Sequence, residues 1–486
     1  SLKEGTFEFS LFLCVIFESI FTKGLNKDLL MNRRLVNQFS FAMAMAFALI
    51  SQEACISSKT PVASCCEDEQ PELLSGPMIG HVSMRSAQVW AQVDRETDLC
   101  VTYWKEGEIE SIGCSNLQLA DVNTAFSVKF ELSGLSPGSR YNAVLVANGK
   151  SIGDTISIAT QVLWDYRMDP PEFKAVVGSC TFINDSIFDR PGRGYGGEYE
   201  VFESIVKTEP DMMLWLGDNV YLREVDFQSY SGYLYRYSHT RAVPEMQDLL
   251  KECPNYAIWD DHDFGPNDAD ASWVHRDWAQ DAFKTFWANP SYGAPSGANN
   301  IATAFRFNDV EFFLLDNRSQ RIHHNNRTQD IHVLGDEQLD WLIAALNKSK
   351  APFKMVAVGG QFLNTAALHE NMANFPERQD LIDRIEEEHI HGVVFLTGDR
   401  HCTDMSRIEL EGGVVIHDLT VSPLTSSAYD NSDEPNELRV KGTTTGIRNF
   451  AELNFSGPRK NRSLEIVVKD AKGVEVWTEV LRAKEL

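Results

Sequence analysis

The chain has 486 residues, 43% apolar and 23% charged, enough to bury the cores of two or three domains. Its formal net charge of −26, from 44 Lys and Arg against 70 Asp and Glu, leaves no basic stripe for a nucleic-acid backbone. Phosphate can be handled by so acidic a chain only where bound cations reverse the local field.

The N-terminal text reads as a targeting segment. Met31 looks like the true start, with residues 1–30 lying upstream of it even though Leu11 to Phe17 is apolar. Arg33 and Arg34 then precede an apolar run, Phe39 to Ile50, of signal-peptide rather than membrane-span length. Export to a periplasmic, cell-surface or secreted location is therefore expected, and the arginine pair suggests the twin-arginine route. Cys55 and Cys65 are candidate lipid-attachment sites, the one route to membrane contact that the sequence offers. Residues 1–72 form this signal and tether segment, its last third rich in Ser, Pro, Cys and acids.

Residues 73–165 alternate in short strands: "AQVWAQV", "CVTYWKE", "FSVKFELSGL", "YNAVLVAN" and "DTISIAT". Leu135, Pro137, Gly138 and Tyr141 have the spacing of a corner closed by a tyrosine hydroxyl. A small immunoglobulin- or fibronectin-like β-sandwich is expected here, a module that implies no chemistry. Cys100 and Cys114 fall within it and can pair if the compartment is oxidising. The chain's nine cysteines show neither CxxC pairs nor zinc-finger spacing.

From 170 to 486 the texture is α/β. Apolar runs such as "FKAVVGSC", "DMMLWLGD", "YAIWDD", "FRFNDVEFFLLDNR", "FKMVAVGGQ" and "GVVFLTGDRH" alternate with helices expected at 198–208, 244–251, 275–288, 336–347 and 378–389. The tail from "NFAELNFSG" to "WTEVL" alternates like closing antiparallel strands. Chemistry gathers where the apolar runs stop: at Cys180, at Asp218, at Asp260, Asp261 and His262, at Asp316 with Arg318, at Gln361, and at Asp399 with His401. Ligands bind beyond the carboxyl ends of strands in such sheets. Each residue alone has a structural explanation, a helix cap for Asp218, a packed ring for Tyr221 or a buried thiol for Cys180, but several strands ending this way outweigh those readings together. The crowding in "WDDHDFGPND" is itself a signal, because like charges in contact repel by about 1 kcal/mol or more outside bulk water. An Asp-x-His pair such as Asp399 and His401 points both side chains one way on an extended segment. Hard oxygen donors with one thiolate suit a hard cation or iron.

"GSC", "GDNVY", "WDDHDFGPND", "LLDNRSQR" and "LTGDRHC", in this order behind a small β domain, resemble the alkaline phosphatase D (PhoD-like) family of calcineurin-like metallophosphoesterases. The resemblance spans roughly residues 75–485. It implies a layered αββα-type α/β domain, an iron ion (Fe3+) and one or two divalent ions, Ca2+ first among them. By position, Cys180, Asp218, Tyr221, Asp399 and His401 match iron-side ligands, with Asp218 bridging. Asp261 and Asn267 match the second-metal side, assisted by Asp260. His262 matches a proton donor and Arg318 a phosphate-gripping arginine. Relatives carry two asparagines after the acid run where this chain has Gly265-Pro266-Asn267-Asp268, so either Asn267 or Asp268 is the ligand. The implied function is hydrolysis of small phosphate mono- or diesters by metal-activated hydroxide, with no nucleophile elbow for a covalent route. Two alternatives are a phospholipase D-type lipid phosphodiesterase and a catalytically inactive metal-binding surface protein.

Overall fold

The computed structural model describes residues 69–108, 112–367 and 371–486. Met31, the apolar run after it, Cys55, Cys65 and most of the tether lie outside the described residues. Residues Glu69–Leu486 make one compact unit. Among the described residues no helix is long and apolar enough to cross a membrane.

The first eight strands form the expected sandwich. β1 (Leu73–Val82), β2 (Ser86–Val93) and β6 (Ser127–Ser133) make one antiparallel sheet. The other sheet has the order β4-β3-β7-β8, built from β3 (Thr97–Lys105), β4 (Ile112–Cys114), β7 (Arg140–Ala147) and β8 (Lys150–Ala159), with β5 (Gln118–Ala120) also on β3. Alternation explains the core: Val89, Val101, Phe130, Leu145 and Ile156 point between the sheets. The Tyr141 hydroxyl accepts the Ser136 N–H at 2.9 Å, which is the expected tyrosine corner. Cys100 and Cys114 are free thiols. Cys114 pairs with Thr102, so Cys100 sits two residues along the ladder, a diagonal neighbour rather than a facing one.

The sandwich is docked on the α/β part rather than strung beside it. Trp90, fully buried, donates its indole N–H to the Thr285 carbonyl at 3.0 Å. The Arg241 guanidinium lies 5.3 Å from the centroid of the same Trp90 ring. His81 Nδ1 lies 3.1 Å from the Tyr256 hydroxyl.

Two six-stranded sheets build the rest. One runs β11-β10-β9-β18-β19-β20, with β9 (Phe173–Gly178), β10 (Met212–Leu216) and β11 (Asn255–Ile258) parallel and β18 (Asn449–Ser456), β19 (Ser463–Asp470) and β20 (Glu475–Arg482) closing it antiparallel. The other runs β12-β13-β14-β15-β17-β16: β12 (Thr303–Phe307), β13 (Val310–Leu314), β14 (Lys354–Ala357), β15 (Val393–Thr397), β16 (Asp404–Glu409) and β17 (Val415–Thr420). The single run "FRFNDVEFFLL" is therefore a hairpin, turning at Asn308 with φ of 50°. Strand period two decides the layers. Phe173, Ala175, Val177, Leu214, Phe312, Met355 and Leu396 face between the sheets, while Val176, Met213, Trp215, Phe313, Val356 and Phe395 face helices.

On one outer face lie α1 (Glu200–Val206), α2 (Tyr230–Arg241), α3 (Pro244–Glu252), the one-turn α4 (Asp261–Phe264) and α5 (Arg276–Phe286); on the other lie α6 (Asp336–Lys348) and α7 (Glu377–Glu387). In α6 the buried Leu339, Leu342, Ile343 and Leu346 recur at helical spacing, with Asp336 and Glu337 at the positive end and Lys348 at the negative one. α2 is the helix that periodicity misses, because its buried face is Tyr233, Tyr237 and Arg236, the last paired with Asp185 and Asp226. The architecture is αββα, as expected.

Candidate metal centre

Four loops leave strand ends on one side of the sheets and meet. β9 leads to Cys180, β10 to Asp218, β11 to Asp260 and Asp261, and β15 to Asp399 and His401. Cys180, Asp218, Asp399 and His401 hold φ at 60°, 50°, 69° and 52°. Non-glycine residues in the left-handed region cost of the order of 1 kcal/mol each and gather where function requires them. Close backbone approach is needed as well. Gly217 turns with φ of +90°, and a Cβ on Gly359 would stand 2.5 Å from the Asp260 Cγ.

Three donor groups result, each with its atoms within 4.8 Å of one another: Cys180, Asp218 and His401; Asp218, Asp261 and His262; Asp260, Asp261 and Asp399. Asp218 belongs to the first two and Asp261 to the last two. The Cys180 Sγ is 3.6 Å from Asp218 Oδ2 and accepts the Ser422 hydroxyl at 3.1 Å. His401 Nε2 lies 3.0 Å from the Tyr221 hydroxyl and 3.1 Å from Ser426 Oγ, which brings Tyr221 onto the Cys180 side. His262 gives its backbone N–H to Asp218 Oδ1 at 3.3 Å, and its half-buried ring lies against Tyr221 with centroids 4.3 Å apart.

The position expected to supply a ligand, Asn267 or Asp268, and the expected phosphate grip, Arg318, lie beside these groups. Asn267 and Asp268 are both exposed in the turn after α4, and Asp268 belongs to none of the three groups. Its backbone N–H instead steadies Asp261 Oδ2 at 2.7 Å. Arg318 is buried with its Nε 2.6 Å from Asp260 Oδ1 and one Nη on the same oxygen, while Asn317 donates to that oxygen at 2.8 Å. Its fork is thus spent on Asp260, with Asp261 at 3.7 Å. Gln361 ties Asp404, Thr420 and Arg400 together, and Asp316 holds the Trp259 indole. Both are architectural. Asp263 takes the N–H groups of Asn219 and Asp260, closing the first turn of α4.

The sequence reading did not anticipate Ser422, inside the run "GGVVIHDLTVSP", Ser426 just after it, or Tyr195. Tyr195 comes from the glycine-rich stretch "RPGRGYGGEYEVFESI", and its hydroxyl sits 3.0 Å from His401 Nδ1. Its one signal was an aromatic among glycines.

The electrostatics expose a surplus of negative charge. Burial, then the carboxylates of Asp261, Asp260, Asp263 and Asp399, push the Asp218 carboxyl well above its ordinary range. Burial and Asp218 do the same to the Cys180 thiol and the Tyr221 phenol. Burial also opposes ionisation of Asp261, but the charges of His262 and Arg318 outweigh it and hold that group at about 2. Burial, reinforced by His262, takes His401 down to about 4, so it offers a neutral imidazole. Five carboxylates face the guanidiniums of Arg318 and Arg321, and the buried Asp261 Oδ1 accepts no hydrogen bond. Thiol, imidazole, phenol and carboxylates converging on an acidic surplus are a donor set that fits cations.

The sequence profile of "PhoD-like phosphatase" matches residues 176–461, more than half of the chain. No curated protein matches. Among solved structures, one described as PhoD superposes with a TM-score of 0.69 at 17% identity, covering 84% of this chain and 89% of its own. A putative 5'-nucleotidase from Staphylococcus aureus, determined with alpha-ketoglutarate, gives 0.33 at 14% identity over 64% of this chain and 54% of its own. The FN5 domain of Drosophila Lar gives 0.15 at 13% identity over 19% of this chain and 94% of its own.

Proposed function

The chain belongs to the PhoD-like phosphatase family, and we propose that it is an exported, metal-dependent hydrolase of small phosphate mono- and diesters. The observation that carries the metal dependence is Asp218, whose carboxylate is common to a Cys180–His401 group and an Asp261–His262 group. Cys180, Asp218, Tyr221 and His401 would hold iron, for which thiolate, phenolate and imidazole are suited, and Asp260 and Asp261 a harder ion such as calcium, together with Asp399, which groups with these two acids rather than on the iron side where the resemblance sets it. When bound, such cations neutralise phosphoryl oxygens and make water acidic enough to attack near neutral pH. Export rests on Arg33, Arg34 and the apolar run after them.

The chain's own residues do the rest. His262 is held by its backbone on Asp218 and by its ring on Tyr221, leaving a partly exposed imidazole to give a proton to the departing alkoxide. Arg318 and Asn317 fix Asp260, so the acid at the centre keeps one orientation. Ser422 and Ser426 orient Cys180 and His401 as hydrogen-bonding neighbours of the donor atoms.

Turnover of p-nitrophenyl phosphate beside bis-p-nitrophenyl phosphate, before and after chelation, tests the proposal. Hydrolysis that chelation abolishes and added metal restores is expected. No turnover of either ester by fully metal-loaded protein would remove the enzyme reading and leave the inactive metal-binding one.

A further inference from the structure

A cleft of about 730 Å³ opens beside His401, and the two tyrosines that flank this histidine form one of its walls. Tyr195 reaches His401 Nδ1, and its hydroxyl is 3.3 Å from that of Tyr429. The Tyr429 ring lies parallel to His401 at 5.6 Å between centroids and is 50% exposed. Tyr195 and Tyr429 therefore stand between the cleft and His401, and no donor residue of the candidate centre lines the cleft itself.

Its lining reverses the charge of the molecule. Arg193, Arg448 and Lys472 stand against Glu200 and Asp470 in a chain whose net charge is −26. One Asp470 oxygen is already taken by the N–H groups of Lys472 and Val474. Arg448 uses Nε on the carbonyls of Thr425 and Ser426, at 2.8 and 2.9 Å, and its terminal nitrogens make no hydrogen bond among the described residues. Arg193 and Lys472 are exposed. A guanidinium anchored at its Nε and open at its fork is arranged to grip an anion.

We propose that this cleft holds the alcohol portion of the substrate, and that the preferred esters carry a second anionic group there, a carboxylate or further phosphate, gripped by Arg448, Arg193 and Lys472 beside the Tyr429 ring. The inference rests on the phosphoesterase reading and adds its substrate class.

The test uses the metal-loaded full chain and a matched pair, phenyl phosphate and carboxyphenyl phosphate, which differ by one carboxylate. The wild type is expected to favour the carboxylated ester about tenfold in kcat/KM, the ratio that about 1.4 kcal/mol of added transition-state binding produces. In the double variant Arg193→Ala with Lys472→Ala, both at the surface, that preference falls toward unity through KM. Equal preference in wild type and variant, with both esters turned over, overturns the subsite and leaves the phosphoesterase reading standing. No turnover of either ester by the wild type overturns both.

Discussion

At the residue scale, roles divide by exposure. Asp218, Cys180 and Arg318 are buried, so they organise charge, whereas the imidazole of His262 reaches solvent and can exchange a proton with a substrate. A general acid matters most when the leaving group is basic. Replacing His262 with Gln is expected to lower kcat/KM for an alkyl phosphate by about 10²-fold or more, but only a few-fold for p-nitrophenyl phosphate, whose phenolate leaves unaided. A uniform loss across leaving groups would instead make His262 a structural neighbour of Asp218. Arg318 shows what residue type alone leaves open. An arginine after a strand reads equally well as a phosphate grip or as an ion-pair partner, and only the fold puts its fork on Asp260, 58 positions away.

At the scale of elements, the strand ends were legible because apolar runs stop abruptly in acids, thiol or imidazole, and parallel neighbours place such ends together. The helix Tyr230–Arg241 was not, since a buried arginine and tyrosines erase the apolar period on which such reading depends. Nor was the docking of the sandwich, which depends on contacts such as Trp90 with Thr285 across nearly 200 residues. His81 lies in that seam, packed against Tyr256 and Phe305, and burial lowers it from 6.5 to about 4. A histidine kept neutral by the fold leaves stability intact above pH 6.5. Stability is lost as pH falls from there toward 4, because the unfolded chain then binds the extra proton. The loss amounts to about 3 kcal/mol at most. Urea unfolding of His81→Gln beside wild type checks this: the pH 7 to 4.5 difference should shrink in the variant, and an unchanged difference would assign the acid sensitivity to other groups.

At the scale of the whole molecule, two sheets, four strand ends and two shared carboxylates make a fold with negative charge at its working end. Cations bound only by the folded state stabilise it by mass action, and here they would also relieve repulsion among five carboxylates. Chelation is therefore expected to lower Tm by several degrees as well as to stop turnover, and calorimetry with and without chelator reads it. The family-wide part of the site was visible in five ordered motifs. The part contributed by Tyr195 and Tyr429 was not, because these residues come from separate loops and meet His401 only in three dimensions. The most direct measurement is elemental analysis of purified wild type beside Asp218→Asn. About two or more metal ions per chain in the wild type, and loss of most of them in the variant, is the predicted result; an active wild type free of metal, or a variant that keeps its full complement, would contradict a carboxylate shared between cations.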